Sequence, residues 1–175
     1  MTSEWMRVLM AFLHVLGVAS YLGGAIVMEF VLTPAQKFIP PAQAMVVGQK
    51  AADRFLAVAW GALGLIAFSG VLRLFTLDNE GILTEGLFDA GYGLTLGTMI
   101  VLWAVLVVNG AVITFVLRPK LAGRLQGTAG AAQVESRQAE QVQAAQWITR
   151  LTRVDLGIAL LIAFVGSSLG LAPLF

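Results

Sequence analysis

The single histidine, His14, lies in an apolar stretch that runs from about Val8 to Leu32 and is otherwise interrupted only by Glu29. An ionisable side chain in such a stretch marks a functional site by default. An imidazole there either stays neutral and hydrogen-bonded or ligates a metal or a haem iron. Met6 and Met10 precede His14 at intervals of four residues, so Met6, Met10 and His14 fall along one helix face. Two thioethers and an imidazole form a soft donor set that suits Cu(I). The same stripe also reads as plain helix packing, because methionine is a flexible core filler. With one histidine, a bis-histidine haem within one chain is ruled out, so haem b would need methionine as the second axial ligand or a second copy of the chain. The absence of cysteine removes disulfides, thiolate metal sites and thiol nucleophiles. No nucleophile constellation, phosphate-binding glycine loop or carboxylate pair stands out, so no catalytic residue is expected.

The elements that must position these groups are set by composition. The chain has 175 residues, 58% hydrophobic and only 12% charged, against about a quarter charged in an average soluble domain. Apart from Glu29, its charges are excluded from four stretches of the chain, at about 8–32, 55–72, 92–117 and 156–174. A helix needs ~20 apolar residues to cross a bilayer, and each stretch approaches or exceeds that length. None alternates with period two, which excludes a membrane β-barrel, and backbone N–H groups in lipid then require helices. The reading is an all-α integral membrane four-helix up-and-down bundle in a single domain. The segments 42–54 and 131–153 are rich in Ala, Gln and Glu and extend helices two and four as solvated stems.

Loop charge gives the orientation. The first connection carries Lys37, Lys50 and Arg54, and the third carries Arg118, Lys120, Arg124 and Arg137, with Arg150 and Arg153 at the next helix start. The second holds Asp78, Glu80, Glu85 and Asp89. Basic loops stay in the cytoplasm, which places both termini outside it, in an inner membrane. Trp5 and Trp147 suit an interfacial belt. The first apolar stretch is longer than a signal-peptide core and its flank is not clearly basic, so no cleavable signal is expected. The partners implied are the lipid bilayer and other membrane subunits or a second copy; the net charge of +1 points to no nucleic acid.

Several polar and small residues inside or beside the spans have structural readings. Glu29 is expected to pair with Arg54, Arg150 or Arg153 near the membrane surface, and Asp155 reads the same way. Asn109 is the expected interhelical hydrogen bonder, and Trp60 and Trp103 need an N–H partner or a headgroup depth. Gly17, Ser20, Gly23 and Gly24, then Gly61, Gly64, Ser69 and Gly70, then Gly166, Ser167, Ser168 and Gly170 offer close-packing faces.

Two matches suggest an internal repeat. Phe30-Val31-Leu32-Thr33-Pro34 is echoed by Phe115-Val116-Leu117-Arg118-Pro119, an offset of 85 (115 − 30). Leu65-Ile66-Ala67-Phe68-Ser69-Gly70 is echoed by Leu161-Ile162-Ala163-Phe164-Val165-Gly166, an offset of 96 (161 − 65). Two tandem hairpins related by an axis along the membrane normal would result. At the first offset His14 corresponds to Met99, which makes His14 and Met99 the candidate axial pair for haem b.

The segment Leu13-His14-Val15-Leu16-Gly17-Val18-Ala19-Ser20-Tyr21-Leu22-Gly23-Gly24 resembles the first helix of a bacterial superfamily that includes the copper-resistance D-like membrane proteins and the HemJ-type protoporphyrinogen oxidases. The Arg54-Phe55 start and Ser69-Gly70-Val71-Leu72-Arg73 end of helix two are also similar, so the resemblance covers about 1–75 of the sequence. It implies that His14 contacts haem or metal. The functional expectation is an inner-membrane accessory or assembly component, not an enzyme, that holds haem or a metal ion at His14. Alternatives are a small copper-handling protein or solute transporter, and a porphyrin-linked oxidoreductase.

Overall fold

The computed structural model describes residues 4–76, 91–122 and 131–168. The acidic connection with Asp78, Glu80, Glu85 and Asp89, the loop residues Arg124, Gly127 and Gly130, and the end of the fourth apolar stretch (169–174), with Gly170, lie outside them.

Four long helical rods make up the described residues: α1 (Glu4–Phe38), α2 (Pro41–Thr76), α3 (Tyr92–Leu121) and α4 (Ala131–Ser168). The first three are each long and apolar enough to cross a membrane. Segments 42–54 and 131–153 are continuous with the helices they precede. Gly91, at φ 91°, opens α3 in a backbone conformation that a side chain would strain.

The helices form an up-and-down ring. On α1 and α2, His14 meets Ser69 and Gly70, and Gly24 meets Phe55. On α2 and α3, Trp60 meets Thr114 and Asp53 meets Arg118. On α3 and α4, Met99 meets Gly166 and Asn109 meets Asp155. Glu29 and Arg153 close α1 against α4. In every pair one number rises as the other falls, so neighbours run antiparallel. One end of the bundle, where α1 turns into α2 and α3 leads toward α4, carries the basic residues and is called here the basic end.

Glycines decide how closely the hairpins approach. A Cβ on Gly17 would lie 2.8 Å from Ile66 Cγ1 and 3.1 Å from the Ala62 carbonyl oxygen. Only hydrogen fits there, which is the small-residue packing expected in lipid, where helices gain by close approach rather than by expelling water. Gly23, Gly61 and Gly64 depart from the expectation: nothing among the described residues lies within 4 Å of a Cβ built on them. They face away from the intrachain contacts.

The buried core holds Tyr21, Ala59, Ala62, Leu63, Leu106 and Ala159. Large apolar side chains such as Phe12, Val15, Phe115 and Phe164 face outward at 60–71% exposure. In water such a surface would drive aggregation, whereas in a bilayer it meets lipid tails. Hydroxyls on the spans follow the same solvent logic. Ser69, Thr98 and Thr114 each donate to the carbonyl four residues back, which satisfies them without water.

The helices do not end where the sequence repeat suggested, at Leu32 and Leu117. Each passes into a π-helical segment, Val27–Leu32 in α1 and Val112–Leu117 in α3, and then continues. The Thr33 N–H bonds the Met28 carbonyl and the Arg118 N–H bonds the Ile113 carbonyl, each five residues back. Proline explains the location. Pro34 and Pro119 lack an N–H and their rings press on the carbonyl four residues earlier. A wider turn just before each proline relieves that pressure while the apolar helix carries on. The starts of the two segments are related by an offset of 85 (112 − 27).

Candidate functional site

Two places in the bundle hold groups able to do chemistry, one toward the end where α1 begins and one toward the basic end.

At the first, His14 Nδ1 lies 3.1 Å from Ser69 Oγ. Ser69 is fully buried. Its hydroxyl donates to the Leu65 carbonyl at 2.6 Å. The serine has one proton, so toward His14 its oxygen acts as acceptor. That arrangement matches the tautomer in which Nδ1 carries the imidazole proton and Nε2 keeps its lone pair. This is the arrangement in which a histidine presents Nε2 to a metal while a second group fixes its tautomer. Gly70 borders the ring: a Cβ there would sit 3.6 Å from His14 Cε1, at ordinary van der Waals contact.

The other expected ligands are placed as follows. Met10, one turn before His14, is 5% exposed, while Met6 is 43% exposed. The stripe thus runs from an exposed thioether to a buried one to the half-buried imidazole. Met99 packs against α4: a Cβ on Gly166 would lie 3.0 Å from its Cε. His14 and Met99 are each engaged by a glycine of the following helix, Gly70 and Gly166.

The second place is a partly open cavity of about 340 Å³ lined by residues of all four helices. Both π-helical segments border it, through Met28 and Glu29 on α1 and Ile113 on α3. Such segments often occur at functional sites because they redirect side chains out of the helical pattern. Aromatic residues Tyr21, Phe55 and Trp60 line it, with the Tyr21 and Phe55 rings 6.4 Å apart. Trp60 donates its indole N–H to Thr114 Oγ1 at 3.1 Å, which fixes the ring.

The charges at this cavity have unequal partners. Glu29 takes a hydrogen bond from Arg153 Nε at 2.8 Å, so Arg153 is its partner among the three cations expected. Arg118 is paired with Asp53. Asp155 does not follow the expectation of an interfacial ion pair. It is 6% exposed and accepts a hydrogen bond from Asn109 Nδ2 on its Oδ1 at 2.9 Å. Asn109 is thus the interhelical bonder expected. The correction for Asp155 is geometric, because residues two apart on a helix differ by about 200°. Arg153 reaches the outside of the bundle, so Asp155 faces inward. Trp103 likewise departs from expectation: its Nε1 is buried without a hydrogen-bond partner among the described residues.

In the sequence Tyr21 and Glu29, Trp60, and Asp155 stand on three separate spans, and only the fold brings them to one cavity. The available signal was the matched pair of prolines, each following an apolar run that ends a span.

Length, hydropathy and outward-facing apolar side chains define an integral membrane protein built from helices. The copper resistance protein D family model matches residues 49–169, which covers most of α2 and all of α3 and α4, and the chain belongs to that family. The matched stretch lies mostly beyond the part of the sequence that carried the resemblance, and α1 with His14 is outside it. No curated protein and no solved structure matches the chain.

Proposed function

We propose that this protein handles copper in a bacterial inner membrane, with His14 Nε2 as the ligand and Met10, one turn away, as the neighbouring thioether. The observation that carries this reading is the hydrogen bond between His14 Nδ1 and Ser69, the kind of contact that orients an imidazole to offer Nε2 to a metal. The family supplies the choice of metal, since its description is copper resistance. The donor chemistry agrees, because imidazole and thioether suit Cu(I) better than they suit hard cations. Met6, more exposed on the same face, extends the stripe toward the helix start.

The basic connections favour a cytoplasmic position for the turns between α1 and α2 and between α3 and α4, with both termini outside. His14 then sits in the outer half of the membrane and receives its ion from that side. The bundle reads as two tandem hairpins. Support comes from the π-helical segments, related by the offset of 85 (112 − 27), and from the parallel contacts of His14 on Gly70 and Met99 on Gly166. No catalytic residue is assigned, and the role is carriage or delivery of the ion rather than turnover.

Competition of detergent-purified protein with a chromogenic Cu(I) chelator tests the reading. One Cu(I) per chain, lost in His14→Ala, supports it. Unchanged binding in His14→Ala overturns the assignment. An absorption spectrum after dithionite separates the haem alternative: a Soret band lost in both His14→Ala and Met99→Ala would replace copper with haem b.

A further inference from the structure

The cavity at the basic end has features that a site for copper at His14 does not use. It lies at the opposite end of the α1 span, with Tyr21, Ala25 and Met28 between His14 and the Glu29 carboxylate along the helix. Its volume of about 340 Å³ is that of a small-molecule site. Among the described residues no group of three or more His, Cys, Asp or Glu is arranged to hold a metal ion. The occupant this space suits is larger than a bare ion.

Charge states what kind of molecule fits. Three charged residues line the cavity among the described residues, and two have a counterion: Glu29 has Arg153, and Arg118 has Asp53. Asp155 is 6% exposed and has an amide, Asn109, in place of a cation among the described residues. A buried carboxylate without countercharge is costly, and a cation brought in by a ligand relieves that cost. The walls complete the specification. Tyr21, Phe55 and Trp60 offer aromatic surface around the same space, and aromatic rings attract organic cations through their negative faces.

We infer that this cavity binds a small organic ammonium ion with an apolar body, its charge on Asp155 and its body among Tyr21, Phe55 and Trp60. The neutral analogue of the same shape keeps the apolar contacts and loses the charge pairing. Discrimination between the two therefore belongs to Asp155.

The test uses the full-length protein in detergent, with benzylammonium as the probe and benzyl alcohol as its neutral counterpart, both followed by isothermal calorimetry at neutral pH. Benzylammonium is expected to bind at least tenfold more tightly than benzyl alcohol. Asp155→Asn keeps the acceptor for Asn109 and is expected to abolish that preference while leaving a folded protein by circular dichroism. Equal binding of the two probes, or a preference that survives in Asp155→Asn, overturns the inference. Trp60→Leu gives a second arm: it is expected to weaken both probes, and an unchanged affinity for both also overturns the placement. His14→Ala is expected to bind benzylammonium normally, which keeps this result separate from the fate of the copper reading.

Discussion

Arg153 of α4 donates its Nε–H to Glu29 of α1 at 2.8 Å, joining the first helix to the last at the basic end of the bundle. The partners are unequally placed: the arginine side chain is 61% exposed and the glutamate 20%. Removing the arginine strands a largely buried carboxylate, whereas neutralising the glutamate leaves an arginine that water can solvate. Arg153→Ala is therefore expected to lower the thermal midpoint in detergent more than Glu29→Gln does. Circular dichroism melts of the two variants check the order, and the reverse order would contradict this account of the pair.

The Ser69 hydroxyl is the group that orients His14. Ser69→Ala removes it and leaves every proposed copper ligand in place. Loss of such an orienting group typically weakens metal binding about 10- to 100-fold. The expected result is a Cu(I) affinity at least tenfold lower with one ion per chain retained, read by chelator competition. Unaltered affinity would show that the Ser69 contact is packing alone.

Asn109 and Asp155 behave as a unit because one is the other's described partner. Asn109→Leu leaves the buried carboxylate without its amide, at a cost of about 1–3 kcal/mol. Converting both to leucine removes the unsatisfied group, so the double variant is expected to be more stable than Asn109→Leu alone. A double-mutant cycle in denaturant reads this coupling directly. Additive losses would mean that the two side chains act independently.

Gly17 and Gly61 give opposite expectations for the same substitution. Gly17→Ala places a methyl 2.8 Å from Ile66 Cγ1 and 3.1 Å from a backbone oxygen. The helices must part, at roughly 1–3 kcal/mol. Gly61→Ala meets nothing among the described residues within 4 Å. It gains about 0.5–1 kcal/mol from the lower flexibility of alanine. Melting temperatures should move in opposite directions, and a shared direction would place one of the two glycines on the wrong face.

Much of the architecture was legible because a bilayer imposes a length on any helix that crosses it. Uncharged stretches of that length located the helices, and one intramembrane asparagine had few uses other than bonding a neighbour. Glu29 was correctly matched to a short group of cations that included Arg153, because the basic residues gather at one end. Asp155 was misread because its sequence neighbour Arg153 suggested a shared environment, while the helical period sets the two on opposed faces. The cavity itself was not legible. It depends on four helices converging and on the two widened turns, and a proline signals such a turn only weakly, since it more often ends a helix. The small-residue stripes were read as uniform packing faces, yet Gly17 and Gly61 show that a glycine's type does not reveal which side of the helix it occupies.

The π-helical turns also bear on how this chain tolerates changes in length. Each holds one residue more than an α-helical turn of the same rise, a surplus confined to Val27–Leu32 and Val112–Leu117. A deletion elsewhere in α1 or α3 rotates everything beyond it by about 100° and misaligns the next contacts. A deletion within either segment lets the turn tighten to the α-helical form, so the interhelical pairs on both sides keep their phase, at the cost of restoring the clash of Pro34 or Pro119 with the carbonyl four residues earlier. These six-residue stretches are therefore the places where the membrane core accepts loss of a residue.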